Sequence, residues 1–201
     1  LDDARLDYLH TAAYSGGIDL YHSWHNKAWY VALNGVASRV QGESNALERT
    51  QTSSARYFQP PDNDYESVDP TRTSLSGNAG SFRLGRVKGA GWRFESGVAW
   101  RSPGFEINDV GFMQRADEVN EFTWVGWASR NPFSIFRRIG VNGNQWLNWD
   151  CGGNPLTQQV NTNFNMEFVN NWSGGAGVTR SFERTSNTAL RGGPSSLWPG
   201  E

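Results

Sequence analysis

The strongest constraint on the fold is an alternation of apolar and polar residues that recurs along the chain. It is clearest in WRFESGVAWR (92–101), where one parity is largely apolar and the other is charged or small. The apolar parity holds Trp92, Phe94, Val98 and Trp100, and the charged residues of the other parity are Arg93, Glu95 and Arg101. Because successive side chains of a β-strand point to opposite faces, this segment predicts a strand with one apolar and one polar face.

Similar segments predict about eight strands and no convincing helix. They cover residues 14–24, 28–40, 75–87, 92–101, 120–130, 134–149, 158–170 and 175–186. These strands are longer than the usual length of about five or six residues in globular sheets. Short connections alternate with longer ones, and long loops are expected at about 41–73 and 102–119. The fold class is therefore predicted to be all-β, an antiparallel up-and-down meander with its tight turns at one end.

Composition excludes some classes of partner and leaves the membrane open. The net charge of -2 and the pI of about 6.0 give no electrostatic reason to expect binding of nucleic acid or of an anionic membrane surface. The chain has 10 Trp, 11 Phe and 23 Gly with only 19% charged residues, which favours β-structure. No apolar run approaches the roughly 20 residues of a membrane-spanning helix. The mean hydropathy of -0.63 does not exclude a barrel, since a barrel strand needs only every second residue to be apolar.

The central question is whether the apolar strand faces contact lipid or a protein core. Tryptophans cluster near strand ends, as in the aromatic girdles of membrane barrels. The polar parity of 158–170 is rich in asparagine, and lysine occurs only at Lys27 and Lys88, both in predicted turns. These features favour an outer-membrane-type β-barrel, of which the chain forms part or all. Two alternatives stay open: a soluble carbohydrate-binding β-sandwich with exposed tryptophans, and a structural subunit whose strand edges pair with another chain.

The second long loop carries the charged residues with the clearest functional interpretation. They are Glu106, Asp109, Arg115 and Asp117, interspersed with the apolar Phe105, Phe112 and Met113. Apolar residues inside a loop predict that it folds inward and packs in the barrel mouth. Its charges would then constrict the lumen, in the way that rings of charge tune pores. Two carboxylates could also serve glycoside hydrolysis, but nothing in the sequence sets their separation.

Other reactive residues are expected to have no catalytic or metal-binding role. Asp62, Asp64, Glu66 and Asp69 alternate as calcium ligands can, but a solvated acidic loop explains them more simply. His22 and His25 have a zinc-compatible spacing only on a helix, and Cys151 lies in a predicted DCGGN turn. No nucleophile, phosphate-binding or dinucleotide motif is present. We therefore expect no enzyme activity, no cofactor and no metal.

Residues 55–117, ARYFQPPDNDYESVDPTRTSLSGNAGSFRLGRVKGAGWRFESGVAWRSPGFEINDVGFMQRAD, resemble the C-terminal region of the domain of unknown function 5916 family. DPTRTSLSG (69–77) and WRSPGFEINDVGF (100–112) are the most specific parts, and ALRGGPS (189–195) is also similar. The resemblance implies an envelope protein of Gram-negative bacteria with an outer-membrane-type β-barrel. In that family a family-9-like carbohydrate-binding domain precedes this region. No catalytic residues carry over.

These observations together predict a single β-barrel region spanning residues 1–201, within a longer chain. The abrupt start LDDARLDY and a pattern that is expected to continue beyond Glu201 favour a piece of a larger barrel. The predicted location is the bacterial outer membrane, where the domain would act as an anchor and a passage for small solutes or glycans. The expected partners are the lipid bilayer, glycans, other envelope proteins and the rest of the same chain, and no nucleic acid.

Overall fold

The computed structural model describes residues 6–89, 91–129 and 131–201. Its long strands are β1 (His10–Trp24), β2 (Trp29–Gly42), β3 (Ser74–Arg86), β4 (Gly91–Arg101), β5 (Glu118–Ala128), β6 (Phe136–Trp149), β7 (Pro155–Phe168) and β8 (Ser173–Ser181). The remaining elements are α1 (Ser44–Gln51), β9 (Arg184–Ser186) and β10 (Ser196–Trp198).

The eight long strands form one antiparallel sheet in which each strand pairs with its sequence neighbour. This confirms the predicted all-β, up-and-down meander. Within the described residues β1 and β8 pair with no long strand other than β2 and β7, so the sheet is open between them. A separate hairpin of β9 and β10, which was not predicted, lies in the C-terminal tail.

The expectation that the chain contains no helix is wrong. Helix α1 follows β2 directly and is only 8 residues long, too short to show a clear repeat of apolar residues. Ala46 and Leu47 are fully buried, so tertiary packing stabilises this short helix. No helix in the described segments combines the length and apolarity that crossing a bilayer would require.

Connections of four to seven residues join the strands at one end of the sheet, and the other end has the two long loops and one connection of five residues. The turn end has the connections 25–28, 87–90, 129–135 and 169–172, and the loop end has 43–73, 102–117 and 150–154. His25, Asn26 and Lys27 take φ values of 50°, 56° and 60°, which gives the β1–β2 turn its left-handed backbone. The predicted separation of turns from loops is therefore confirmed, with slightly shorter loops than expected.

The register gives the sheet an apolar face and a polar face. The apolar face carries Ile18, Leu20, Val31, Leu33, Phe82, Leu84, Phe94, Val98, Val125, Val141, Leu147, Val160, Phe164 and Val178. The polar face carries Asp19, Asn34, Arg83, Arg93, Glu95, Asn142, Asn144, Asn161, Asn163 and Asn165. Residues Trp92 to Arg101 divide between the two faces as their alternation predicts.

The packed core lies between the polar side of the sheet and the loops at the loop end. One cluster joins Val40 and Leu75 of the strands to Leu47 of α1 and to Phe58 of the first loop. A second cluster comprises Ala55, Phe105, Met113 and Ala116, against which Val36 and Ala79 pack from the sheet. Both long loops therefore fold back over the sheet. Phe105 and Met113 are buried as expected, whereas Phe112 is 82% exposed.

Glycine permits the closest contact between the second loop and the sheet. A Cβ atom built on Gly77 would lie 2.1 Å from the backbone nitrogen of Phe105, and one built on Gly104 would lie 2.3 Å from the carbonyl oxygen of Ser76. Both distances are shorter than any real contact allows. The absence of a side chain at these two positions lets the loop backbone lie directly against β3.

Candidate functional site

Glu106 is buried under the first loop in an ion pair with Arg56. The Arg56 Nη2 atom lies 2.8 Å from Glu106 Oε2, and both side chains are at most 5% exposed. The Arg56 guanidinium also donates to the carbonyl oxygens of Thr50, Pro103 and Phe105. The other carboxylate oxygen of Glu106 accepts the backbone N–H of Asn108. This pair therefore links the end of α1, the first loop and the second loop.

Asp117 joins three loops at the start of β5. Its carboxylate accepts the phenolic O–H of Tyr65 and, at 3.0 Å, the backbone N–H of Cys151. Asp117 takes φ +57°, a left-handed conformation that aspartate tolerates better than most residues. Desolvation raises the pKa of Tyr65 well above its ordinary value, and the bond to Asp117 raises it further. The phenol therefore stays protonated and keeps donating.

Cys151 lies in the turn that its DCGGN sequence predicts. The residue as a whole is exposed, but its sulfur lies 3.7 Å from the carbonyl oxygen of Arg101. Desolvation of the thiol, with the negative charge of Asp117 as a second cause, raises the pKa of Cys151 to about 12. A thiol with such a pKa is a poor nucleophile at neutral pH.

Asp109 and Arg115 contact other parts of the loop end. His10 Nδ1 of β1 lies 2.8 Å from Asp109 Oδ2, and His10 Nε2 lies 2.8 Å from the Thr50 hydroxyl oxygen in α1. Arg115 donates to the side-chain oxygen of Asn187 at 2.6 Å, and its Nε lies 3.7 Å from Glu118 Oε2. Glu118 also pairs with Arg101 of β4. These contacts tie the second loop to β1, to β4 and to the C-terminal tail.

The four predicted site residues thus have different direct partners, although Thr50 connects the networks of Glu106 and Asp109. Within the part of the chain that is described, no hydrogen bond or ion pair joins any two of the four. Sequence reasoning missed their partners, chiefly Arg56, Tyr65 and His10. These partners belong to loops or strand ends without periodicity, so no sequence signal marked them. A lumen constriction by these four charges stays a prediction.

The acidic residues of the first loop are also dispersed. Asp62 accepts the backbone N–H of Ser195 at 2.8 Å, which lowers the pKa of Asp62. Asp69 accepts bonds from Thr71 and lies beside Gln51 of α1, while desolvation raises the pKa of Glu66. The described residues contain no group of three or more His, Cys, Asp or Glu side chains placed to hold a metal ion. His22 and His25 are among the described residues and belong to no such group.

A ladder of asparagines crosses β6 and β7 on the polar face. Asn142 donates to Asn163 and Asn144 donates to Asn161, each at 3.0 Å. Asn163 donates along its own strand to Asn161 at 2.8 Å, and Trp124 donates to Asn142 at 3.2 Å. The strand prediction for 158–170 placed these asparagines on one face. The ladder produces a surface of amide groups that suits water or polar solutes.

Aromatic rings occupy both ends of the apolar face. At the turn end Trp24 stacks on Trp29 at 6.1 Å, and Trp29 meets Phe94 edge-on at 5.5 Å. Trp92 and Trp127 pair across β4 and β5 in the same region. At the loop end, Trp100, Val119 and Trp149 form one row of the apolar face. Trp146, by contrast, projects from the polar face.

One comparison with known proteins identifies a family. The model of a family described as Domain of unknown function (DUF5916) matches residues 38–188, which run from β2 to just beyond β9. The match includes the whole of 55–117 and ends before 189–195. No curated protein and no solved structure matches the chain. Because the family model covers most of the sequence, this chain belongs to the DUF5916 family.

Proposed function

We propose that this chain is part of a β-barrel in the bacterial outer membrane, where it anchors the protein and surrounds a passage for small polar solutes. The single observation that carries the proposal is the exposure of the apolar face. Ile18 is 71% exposed, Val178 is 69% exposed and Leu20 is 52% exposed, all on one side of the sheet. Such a large exposed apolar surface is costly in water and favourable against acyl chains.

The aromatic rows support the same assignment. Amphipathic rings are favoured at the two interfaces of a bilayer, and here they flank an aliphatic band at both ends. Strands of 9 to 15 residues are long enough to cross the hydrocarbon region with a tilt. Further strands that pair with the free edges of β1 and β8 would complete the barrel and satisfy their backbone groups.

The soluble-sandwich alternative requires a second layer over the tryptophans. The described residues contain only one other sheet, the two-stranded β9–β10 hairpin. Trp92 stays 59% exposed and Trp172 stays 75% exposed. Both long loops and α1 pack on the opposite side, against the polar face. This arrangement supports lipid, and not a protein layer, as the partner of the apolar face.

A polar cluster interrupts the apolar face between the aromatic rows. Glu121 accepts hydrogen bonds from Thr123 and from Gln145, each at 2.8 Å, and Ser96 lies 2.9 Å from the Thr123 hydroxyl oxygen. Each carboxylate oxygen of Glu121 therefore accepts one hydrogen bond, and neither donor is a cation. Acidic residues on the lipid face of a barrel cost less than Arg or Lys, and the cost falls toward the interface. The cluster is therefore tolerable within the proposed membrane surface.

The passage that we propose is non-catalytic. The loop carboxylates Glu106 and Asp117 are held by Arg56, Tyr65 and backbone amides, so they are poorly placed to transfer protons. They fix the loops over one end of the polar face, and the loops would narrow the mouth of the lumen. The asparagine ladder supplies amide groups along the proposed wall, which fits small hydrated solutes or glycans.

Membrane extraction of the natural full-length protein tests this proposal. We expect the protein to stay in the membrane fraction after washing with alkaline carbonate and to need detergent for extraction. A folded barrel should also migrate faster on a gel before boiling than after boiling. Recovery of the protein in the soluble fraction, monodisperse without detergent, would refute the membrane assignment.

A further inference from the structure

We propose that a hollow on the polar face, near the turn end, binds a small organic anion that carries a carboxylate or phosphate group on a hydroxylated body. The hollow has a volume of about 590 Å³ and lies over β4 to β8. This volume lies within the range of small-molecule sites. The inference gives the proposed passage a solute class and so builds on that function. The binding site itself can nevertheless be tested separately.

The register creates the hollow by aligning small residues. Ala128 pairs with Gly140, Gly140 pairs with Asn165, and Asn165 pairs with Gly175. In the adjoining row, Gly126 lies between Arg93 and Asn142. The row from Ala128 to Gly175 therefore holds no side chain larger than asparagine, while the Trp124 ring covers Gly126 in the adjoining row. This is a property of the pairing and is not visible in any one strand.

Two guanidinium groups border the floor, and neither forms an ion pair within the described residues. Arg93 lies over the ring of Trp124, with its Cζ atom 5.4 Å from the ring centroid. This contact holds the cation in position without neutralising its charge. The Arg138 side chain has no hydrogen bond or ion pair within the described part of the chain. Arg93 is half-buried and Arg138 is exposed, so both are accessible to a solute.

Glu167 is the one carboxylate among the described residues that line the hollow, and it is already hydrogen-bonded. Glu167 Oε1 accepts a hydrogen bond from Arg137 Nη1 at 2.8 Å. The hollow therefore has an excess of positive charge from Arg93 and Arg138. A guanidinium binds carboxylate or phosphate through two parallel hydrogen bonds, which makes an oxyanion the matching ligand group.

Neutral polar groups complete the lining. Asn142, Asn165, Asn171 and Ser173 border the hollow. Their amides and hydroxyl can exchange hydrogen bonds with sugar hydroxyls. Asn165 makes only a long bond of 3.4 Å to Asn163, so its amide retains capacity for a ligand. Sugar acids and sugar phosphates share the required chemistry, an oxyanion joined to several hydroxyls.

Binding to the detergent-solubilised full-length protein tests the site. Glucuronate, glucose 6-phosphate and neutral glucose serve as probes, followed by calorimetry and by tryptophan fluorescence. We expect both anions to bind and glucose to bind at least tenfold more weakly. The Arg93→Gln/Arg138→Gln double variant should lose at least tenfold in anion affinity. Arg180→Gln, a charge removed from the apolar face of β8, is the matched control and should bind like the parent.

A second variant keeps both charges and fills the space. A Cβ atom built on Gly140 would lie 3.6 Å from the Trp127 carbonyl oxygen, an ordinary contact distance, so Gly140→Val is expected to place its methyl groups in the hollow. Gly140→Val should also weaken anion binding, and it tests the site independently if the double arginine variant does not fold. Equal binding of glucose and glucuronate, or parental affinity in Gly140→Val, would overturn the inference. Anion binding by a protein that proves water-soluble would refute the membrane proposal and leave this one standing.

Discussion

The two ends of the polar face are built differently. At the loop end, two long loops and α1 cover the strands with two apolar clusters and a buried ion pair. At the turn end, a row of small residues leaves a hollow, and Arg93 and Arg138 border it without forming an ion pair within the described residues. The difference follows from connection length, since a tight turn has no residues to fold back over the sheet. The buried charges near the long loops therefore hold the fold together, while Arg93 and Arg138 near the short turns stay accessible to a ligand.

The largest expected effect comes from Arg56→Met at the covered end. This change leaves the buried Glu106 carboxylate without its cation, and it should lower the free energy of unfolding by about 3–5 kcal/mol. Denaturant unfolding followed by tryptophan fluorescence measures the loss. Arg72→Gln is the control, because Arg72 and Asp69 are more exposed and lie 3.9 Å apart. Its expected cost is about 0–1 kcal/mol.

The Arg56→Met/Glu106→Leu double variant sharpens this test. Replacing both partners removes the unpaired charge, so the double variant should recover much of the stability that Arg56→Met loses. If Arg56→Met were no more damaging than Arg72→Gln, the loop end would not depend on its buried pair. The contrast between the two ends would then lose its energetic basis.

The next effect concerns the two sides of the sheet. Val125→Arg puts a cation on the apolar face, and Asn144→Arg puts one on the polar face nearby, since Val125 pairs with Gly143. Val125 lies one row from Trp92 and Trp127, so on a lipid-facing surface the first change should cost between the about 0–1 kcal/mol of an interfacial site and the about 2–4 kcal/mol of the bilayer midplane. The second should cost clearly less. Unfolding in detergent or lipid vesicles compares them, and equal costs would argue against a lipid-facing apolar surface.

Alternation in the sequence predicts the strands well, as residues Trp92 to Arg101 illustrate. The prediction works because successive side chains of a strand point to opposite faces, so the position of a residue in the alternation determines its face. Helix α1 could not be predicted, since its stability comes from tertiary packing against Val40, Leu75 and Phe58, which no local pattern shows. The loop charges were located correctly, but their partners Arg56, Tyr65 and His10 depend on how the loops fold. The hollow also escaped prediction, because it requires the relative register of five strands.

The reaction rate of the Cys151 thiol measures whether the loops at the loop end stay packed in solution. With a pKa of about 12, its thiol should react with a disulfide reagent at pH 8 at least tenfold more slowly in the folded chain than in the urea-unfolded chain. The absorbance of the thiolate that the reagent releases gives the reaction rates of the folded and unfolded chains. Tyr65→Phe, which removes the hydroxyl donor to Asp117, tests whether that network slows the reaction. Equal rates in the folded and unfolded chains would show that the loop end opens readily.

The smallest effect is expected from Glu66 in the first loop. Desolvation raises its pKa in the folded chain above the ordinary 4.5, while Arg72 opposes the shift. A carboxyl group with a raised folded pKa stabilises the fold below its ordinary pKa, and this contribution is lost as the pH rises through the raised value. Glu66→Gln should therefore flatten the decline in stability above about pH 4.5 and stabilise the chain slightly at pH 7. Thermal unfolding between pH 4 and 7 measures the slope, with Asp64→Asn at an exposed position of the same loop as control. A steeper decline in Glu66→Gln than in Asp64→Asn would show that Glu66 is stabilised in its charged form, and that the first loop covers the sheet less closely than its contacts indicate.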